Sequence, residues 1–261
     1  ILVVNAACKG ADLAHLQAHL SGTCEVTMLD RALIALQGPK AEAALSALAP
    51  EIADMRFMDA QHTTILGTEA IVTRSGYSGE DGFEISLPAE SVEAVAEALL
   101  AQPGVLPIGL GARDSLRLEA GLCLHGADIG PDTDPVEAGL TWAIQPVRRR
   151  GGARAGGFPG AERILSAIET GPSRRRVGLC PEGRLPVRAG AKLFAGVDDA
   201  DTIGSVTSGG FSPSLGAPVA MGYLPAALAE PGTQLFAEVR GQRLPLCVST
   251  LPFVPAGFKR R

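Results

Sequence analysis

Residues 112–124 read ARDSLRLEAGLCL, and this stretch determines both the local structure and the chemistry expected of the chain. The 3.6-residue period predicts a helix from Leu110 to Ala120 with one small, apolar face. If the helix continues to Cys123, that face carries Ala112, Ser115, Leu116, Glu119, Leu122 and Cys123. Glu119 is therefore an inward-facing carboxylate, and burying a charge without hydrogen-bond donors is costly. The nearby cations, Arg113 and Arg117, point to other faces, whereas a ligand with two parallel N–H donors suits the carboxylate. A structural role and a ligand-binding role both stay open.

Around this helix, the first half of the chain alternates helices and strands. Apolar residues at the helical period predict further helices at 11–20, 40–49 and 91–100. Strands are predicted at 70–73 and 83–87, on either side of a turn that contains three glycines. Together these elements predict an α+β region.

The first residues, Ile1 to Asn5, predict a β-strand that is entered in mid-domain. There is no initiator Met, and the stretch lacks the basic region and the length of a signal peptide. We therefore expect that an N-terminal segment precedes this sequence in the natural protein.

The second half begins with a segment at 151–160 whose glycines and proline do not support regular structure. A short helix is predicted at 161–168. Short β-rich pieces separated by turn residues then predict a small antiparallel barrel or sandwich. These pieces are 177–180, 192–195, 202–207, 219–224, 233–239 and 246–254. The predicted division is 1–150 as an α+β region, 151–172 as a linker with a short helix, and 173–261 as a β-barrel domain.

Composition narrows the class of partner. The net charge of −5 argues against nucleic acid or an anionic membrane as the main partner. No apolar run reaches the roughly 18 residues that a spanning helix needs. Abundant Ala, Gly and Arg without a transit-like leader predicts a bacterial cytosol, or the mitochondrial matrix if the source is eukaryotic.

Metal and dinucleotide sites have weak support. Five scattered cysteines, Cys8, Cys24, Cys123, Cys180 and Cys247, lack zinc-site or disulfide-framework spacing and are expected to be reduced and buried. His15 and His19 have a metal-binding i, i+4 spacing but no evident third ligand, so no metal site is expected. Gly109 and Gly111 precede a helix, but the third glycine of a dinucleotide loop is absent.

Several strings, taken in order, resemble the glycine cleavage T-protein family over essentially the whole sequence. They are VVNA at 3–6, ALQGP at 35–39, RSGYSGEDGFE at 74–84, ARDSLRLEAGLCL at 112–124, PVE at 135–137, FPG at 158–160, RRVGL at 175–179, GSVTSG at 204–209, PSL at 213–215, AMGY at 220–223 and PFVP at 252–255. No single string is decisive, but the ordered set is specific.

The resemblance implies a cloverleaf of three domains around a central folate channel, with a β-rich last domain. It also implies an aminomethyltransferase that takes the aminomethyl group from the lipoyl arm of H-protein. Ammonia is released and tetrahydrofolate, a co-substrate, becomes 5,10-methylenetetrahydrofolate. The implied partners are lipoylated H-protein and tetrahydrofolate.

The resemblance also assigns site residues. It places the pterin-binding glutamate at Glu119 and an arginine for the anionic folate tail at Arg148, with Arg149 and Arg150 as alternatives. Asn5 matches a position beside the folate. Phe258 matches a position, often Tyr, that closes over the ligand; Phe can stack there but cannot donate a hydrogen bond. His125 likewise stands where Tyr is usual.

No residue of this sequence receives the role of the family's catalytic aspartate, which lies upstream of the VVNA string. The 261-residue polypeptide is therefore expected to be inactive or nearly so. Two alternatives keep the folate site. One is the T-protein-like folate domain of a sarcosine or dimethylglycine oxidoreductase, or of a folate-dependent RNA-modification factor. The other is a non-enzymatic folate-binding protein.

Overall fold

The computed structural model describes residues 1–260. Within that range the α-helices are α1 (Lys9–Leu20), α2 (Ala41–Ser46), α3 (Val92–Leu100), α4 (Leu110–Glu119) and α5 (Ala161–Thr170). The strands are β1 (Arg31–Gln37), β2 (Ala60–Ile65), β3 (Thr68–Thr73), β4 (Gly82–Pro88), β5 (Arg174–Pro181), β6 (Lys192–Phe194), β7 (Gly204–Ser212), β8 (Ala217–Pro225), β9 (Gln234–Val239) and β10 (Gln242–Ser249).

The first sheet is antiparallel and has the strand order β1-β4-β3-β2. Its apolar face packs against α2 and α3, because alternate residues of a strand point to the same side. Ile85 and Leu87 of β4 are fully buried, as are Val72 of β3 and Leu45 of α2. These side chains belong to one core cluster that also includes Val95 of α3.

The second sheet is a closed barrel with the order β10-β5-β8-β7-β6-β9. Its interior is filled by apolar side chains from every side of the barrel. They include Leu179, Leu193, Val206, Ala220, Leu235 and Leu246. Closure leaves the barrel without free edges, since the last strand, β10, pairs with the first, β5.

The prediction of an α+β chain with a C-terminal antiparallel barrel is confirmed. The five predicted helices are present with small shifts of their ends, as are the predicted strands other than the one at Ile1 to Asn5. Two strands were not predicted, β1 and β2. The sequence of β2, AQHTTI, is mostly polar because β2 is an edge strand with one exposed face.

The prediction of a strand at Ile1 to Asn5 is wrong. These residues are exposed, have no regular secondary structure and find no partner strand in the described part of the chain. The predicted strand at 246–254 is also too long, since β10 ends at Ser249. Pro252 has no N–H to donate to a neighbouring strand, so the ladder stops before it.

The cysteines differ from expectation in their burial. All five are free thiols, but four are half-buried and Cys24 is exposed. The prediction that they are buried is wrong. Cys180 and Cys247 lie on strands whose apolar residues alternate with them and occupy the barrel interior, so both thiols face outward.

The joint between the α+β region and the barrel lies at the end of α4. Leu118 packs there against Val219 and Met221 of β8. Next to it, Arg117 is 3% exposed and donates to three elements. Its Nη1 lies 2.7 Å from Asp128 Oδ2, its Nη2 is 2.9 Å from Ser208 Oγ of β7, and its Nε is 2.8 Å from Asp114 Oδ1.

Asp128 completes this network from a loop that follows α4. Its side chain is fully buried and also accepts hydrogen bonds from the backbone N–H of Leu124 and from the hydroxyls of Thr207 and Ser208. A buried ion pair with every polar atom satisfied costs little, whereas the same pair with one partner removed leaves an uncompensated charge. The network therefore fixes how α4 meets the barrel.

We expect Asp128→Asn to lower the free energy of unfolding by about 3–5 kcal/mol, because Arg117 loses its buried anion and keeps only the exposed carboxylate of Asp114. The matched control is Glu169→Gln, which removes the exposed ion pair between Arg150 and Glu169 and should cost about 0–1 kcal/mol. Urea denaturation followed by circular dichroism measures both. Equal losses in the two variants would show that the buried network does not hold the joint.

Candidate functional site

Glu119 is the last residue of α4 and is 3% exposed. Its carboxylate faces the turn between β7 and β8. Oε1 accepts hydrogen bonds from Ser212 Oγ at 2.6 Å and from the backbone N–H of Ser214 at 3.0 Å. Oε2 accepts from Ser214 Oγ at 2.7 Å. The donors that a buried carboxylate needs thus come from the barrel.

The hydrogen-bond donors to Glu119 come from the protein, whereas the sequence left open that a ligand supplies them. Arg113 and Arg117 do not pair with Glu119, as expected, but the protein itself supplies the hydrogen-bond donors. Burial of Glu119 therefore does not by itself require a ligand. A carboxylate has about four lone-pair sites. Three are used, and the fourth, on Oε2, remains for a further donor.

The predicted inward face of α4 is correct only toward its end. Ala112 is exposed, while Ser115 and Leu116 are half-buried. The helix ends at Glu119, so Leu122 and Cys123 lie beyond it rather than on its face. The chain turns at Gly121, whose φ of 66° lies in the left-handed region that favours glycine.

The backbone carbonyl of Glu119 is held from another direction. It accepts hydrogen bonds from the N–H groups of Phe253 at 2.9 Å and Val254 at 3.1 Å. The segment 250–260, hereafter the C-terminal strap, then crosses to the first sheet. There the N–H of Gly257 donates to the carbonyl of Gly79 at 2.9 Å, and Lys259 Nζ lies 2.9 Å from Glu42 Oε2.

Phe258 lies on this strap and stacks on Phe57. The ring centroids are 4.0 Å apart, and the ring planes differ by 5°. One face of the half-buried Phe258 ring is therefore occupied by Phe57, and the assignment of Phe258 to a folate site stays a prediction.

Gly79 allows the glycine-rich turn between β3 and β4 to approach the end of α4 closely. Its φ is 79°, and a Cβ added there would lie 2.7 Å from the Cβ of Ala120. Only glycine fits this contact.

Tyr77 lies in the same turn. Its hydroxyl donates to the carbonyl of Cys123, and the guanidinium of Arg113 lies 4.8 Å from the Tyr77 ring centroid. Burial raises the pKa of Tyr77, so the phenol stays protonated and remains a donor.

The three consecutive arginines have different surroundings. Arg149 donates to the carbonyls of Ile144 at 2.8 Å and Thr141 at 2.9 Å. Arg150 pairs with Glu169, with 3.2 Å between Nε and Oε1. Arg148 donates through Nη1 to the carbonyl of Gly156 at 3.2 Å. In residues 1–260 no carboxylate lies within ion-pair distance of Arg148, so its charge is not compensated.

Asn5 and His125, the two other positions assigned by the resemblance, have few contacts with their surroundings. The side chain of Asn5 is exposed, and its backbone carbonyl accepts a hydrogen bond from the N–H of Cys8. His125 lines a small cavity of about 120 Å³ with Ile129, Pro135 and Leu140. The structure shows no contact that joins either residue to Glu119 within the described chain.

The described residues contain neither a metal-binding cluster nor a membrane-spanning helix. No group of three or more His, Cys, Asp or Glu residues in positions 1–260 is arranged to hold a metal ion. The rings of His15 and His19 lie 4.4 Å apart on α1. None of the described helices combines the length and the apolar character needed to cross a membrane.

Ser212 and Ser214 are the residues that sequence reasoning missed. They flank Pro213 in a Ser-Pro-Ser turn, and Ser212 is fully buried. Two hydroxyl residues around a proline are a common turn composition, so the pattern predicts the turn but not its acceptor. The partner lies more than 90 residues earlier in the chain.

The chain is similar to known proteins along most of its length. A family model described as the GCVT N-terminal domain matches residues 1–148, and one described as the glycine cleavage T-protein C-terminal barrel domain matches residues 174–255. A solved structure, the glycine cleavage system aminomethyltransferase T from Bartonella henselae, is 48% identical with a TM-score of 0.88. The alignment covers 98% of this chain and 69% of that one.

Relatives with similar sequences carry related names. The mitochondrial aminomethyltransferase of Flaveria trinervia is 45% identical over 98% of this chain. The probable mitochondrial aminomethyltransferase of Schizosaccharomyces pombe is 43% identical over the same share. The chain spans 64% of the Flaveria protein and 66% of the yeast protein.

We expect Ser212→Ala to lower the free energy of unfolding by about 1–3 kcal/mol, because Glu119 stays buried with one donor fewer. The matched control is Ser205→Ala, an exposed serine on the same strand, which should change stability by no more than about 0.5 kcal/mol. Urea titration of both variants provides the measurement. A Ser212→Ala variant as stable as Ser205→Ala would mean that the carboxylate does not depend on the turn.

Proposed function

The chain belongs to the glycine cleavage T-protein family, and from that premise we propose that it is a tetrahydrofolate-dependent aminomethyltransferase. Its substrates are the aminomethyl group on the lipoyl arm of H-protein and tetrahydrofolate. Its products are ammonia, dihydrolipoyl H-protein and 5,10-methylenetetrahydrofolate. Relatives named aminomethyltransferase support this function over that of a sarcosine or dimethylglycine oxidoreductase domain.

The observation that carries the proposal is the buried, oriented carboxylate of Glu119. The edge of a pterin offers an amino group and a ring N–H side by side, and a carboxylate accepts both. Oε2 has one free lone-pair site for the first donor. Ser214 is exposed, so its hydroxyl can turn to water and release a second site on the same carboxylate.

Ser212, unlike Ser214, keeps its hydrogen bond to Glu119 in the proposed complex with the pterin. It is fully buried, and its hydroxyl also accepts a hydrogen bond from the N–H of Leu215 at 3.1 Å. It cannot turn away as Ser214 can. We assign it to holding Oε1 while the ligand engages the other side of the carboxylate.

Arg148 is the proposed partner of the anionic folate tail. Arg150 is already paired with a carboxylate. Arg149 donates through Nε and Nη2 to two carbonyls, at 2.8 and 2.9 Å. Arg148 has no carboxylate within ion-pair distance in residues 1–260, and it contacts two carbonyls through Nη1 alone, at 3.2 and 3.4 Å. A planar guanidinium suits the bidentate recognition of a carboxylate. Asn5 and Phe258 are further proposed contacts of the folate, by resemblance to the family.

None of the residues named here takes the role of the family's catalytic aspartate. The chain's own side chains account for the binding and orientation of the pterin, and proton transfer is left to that aspartate. The compartment follows the source of the protein, with the mitochondrial relatives supporting a matrix location in eukaryotes.

Glu119→Gln should weaken tetrahydrofolate binding to the 261-residue chain roughly 5- to 150-fold, equivalent to about 1–3 kcal/mol. The amide places an N–H opposite the donors of the pterin. Calorimetric titration measures the change. The control is Glu69→Gln, since Glu69 is exposed and contacts only His62 among its charged neighbours. Equal affinity in wild type and Glu119→Gln would remove Glu119 from the site.

Arg148→Gln should weaken the binding of tetrahydrofolate roughly 10- to 150-fold, equivalent to about 1.5–3 kcal/mol, because the charge-assisted contact with the folate tail is lost. The same variant should bind a tetrahydropterin that lacks the glutamate tail as wild type does. Arg149→Gln and Arg150→Gln are the matched controls. If Arg150→Gln instead produces the tail-dependent loss, the assignment moves from Arg148 to Arg150.

A further inference from the structure

Two cysteines face each other across the seam that closes the barrel. Cys180 of β5 and Cys247 of β10 are directly opposite residues in the antiparallel register. Their neighbours Leu179 and Val248 point into the barrel core, so both thiols lie on its outer face. Both residues are half-buried and neither sulfur is in a disulfide.

We propose that Cys180 and Cys247 form a modification site, a reversible cross-strand disulfide that fastens the first strand of the barrel to the last. Directly opposite residues of an antiparallel pair have Cα atoms about 4.5–5.5 Å apart. A disulfide accepts Cα separations of about 4.4–6.8 Å. The backbone therefore already holds the two cysteines within bonding range.

The position on the seam gives the bond a function. The β5–β10 register extends over four residue pairs, 178–181 with 246–249. It ends at Pro181, which has no N–H, and the next bond runs from the N–H of Glu182 to the carbonyl of Pro245 at 2.9 Å. Pro245 cannot donate in return. A covalent link next to this end compensates for the return hydrogen bond, to the carbonyl of Glu182, that Pro245 cannot make.

The chemistry requires an oxidant, for which we take a low-molecular-weight disulfide. The Cys247 thiolate attacks one sulfur of that disulfide and expels the first small thiol. The Cys180 thiolate then attacks the Cys247 sulfur, expels the second small thiol and closes the protein disulfide. The two cysteines are oxidised, the reagent is reduced, and the two protein protons leave on the released thiols. Burial raises the pKa of the Cys180 thiol, which suits its role as the second nucleophile, delivered by proximity.

The test uses the folded chain with oxidised glutathione and peptide mapping by mass spectrometry without reductant. We expect a cross-linked pair of peptides that contain Cys180 and Cys247, lost on addition of dithiothreitol. The cross-linked protein should melt several degrees higher than the reduced protein, since the bond closes a long loop of the unfolded chain.

Single variants separate the two roles. Cys180→Ser should trap glutathione on Cys247, whereas Cys247→Ser should leave Cys180 largely unmodified. Cys24→Ser, which removes the exposed thiol, is the control and should leave the cross-link intact. The proposal is overturned if the folded wild type yields no such cross-link, or if the link appears only after denaturation.

Discussion

A single buried guanidinium sets the relation between the two halves of this molecule. Arg117 and its carboxylate partner Asp114 are on α4, the buried carboxylate partner Asp128 is on the following loop, and the hydroxyl partner Ser208 is on the barrel. A charge removed from water must keep all its partners, and each of these partners comes from a different element. Hydrogen-bond geometry therefore determines the position of α4 against β7. The apolar contacts of Leu118 fill the space next to Arg117.

The position of α4 against the barrel also holds Glu119 of the candidate site in place. Glu119 lies two residues beyond Arg117, and its side chain and carbonyl are held by the barrel turn and by the C-terminal strap respectively. A binding group fixed from several directions loses little conformational entropy when a ligand arrives. The surroundings of Glu119 therefore combine the rigidity of a structural residue with one acceptor position left for a partner.

Much of this arrangement can be predicted from the sequence, and the exceptions have physical reasons. The helical period locates α4 and marks Glu119 as an inward carboxylate, and the turn-separated β pieces predict the barrel. The partners of that carboxylate do not follow, because Ser212 and Ser214 approach it through tertiary packing. The edge strand β2 is not predicted from the sequence, because only one of its faces is buried and its residues are mostly polar. The expected strand at Ile1 to Asn5 has the right composition for a strand but no neighbour to pair with among residues 1–260.

The C-terminal strap has a consequence for how the protein is made. Synthesis proceeds from the first sheet to the barrel, and domains generally fold in that order as they emerge. The carbonyl of Glu119 meets its partners only when Phe253 and Val254 leave the ribosome, after every strand of the barrel. A premature stop codon just after β10 would yield a polypeptide with a complete barrel and the Arg117 network, but without the two hydrogen bonds to the carbonyl of Glu119. Such a nonsense allele would give a protein that can fold and accumulate while the end of α4 lacks its contacts with the C-terminal strap.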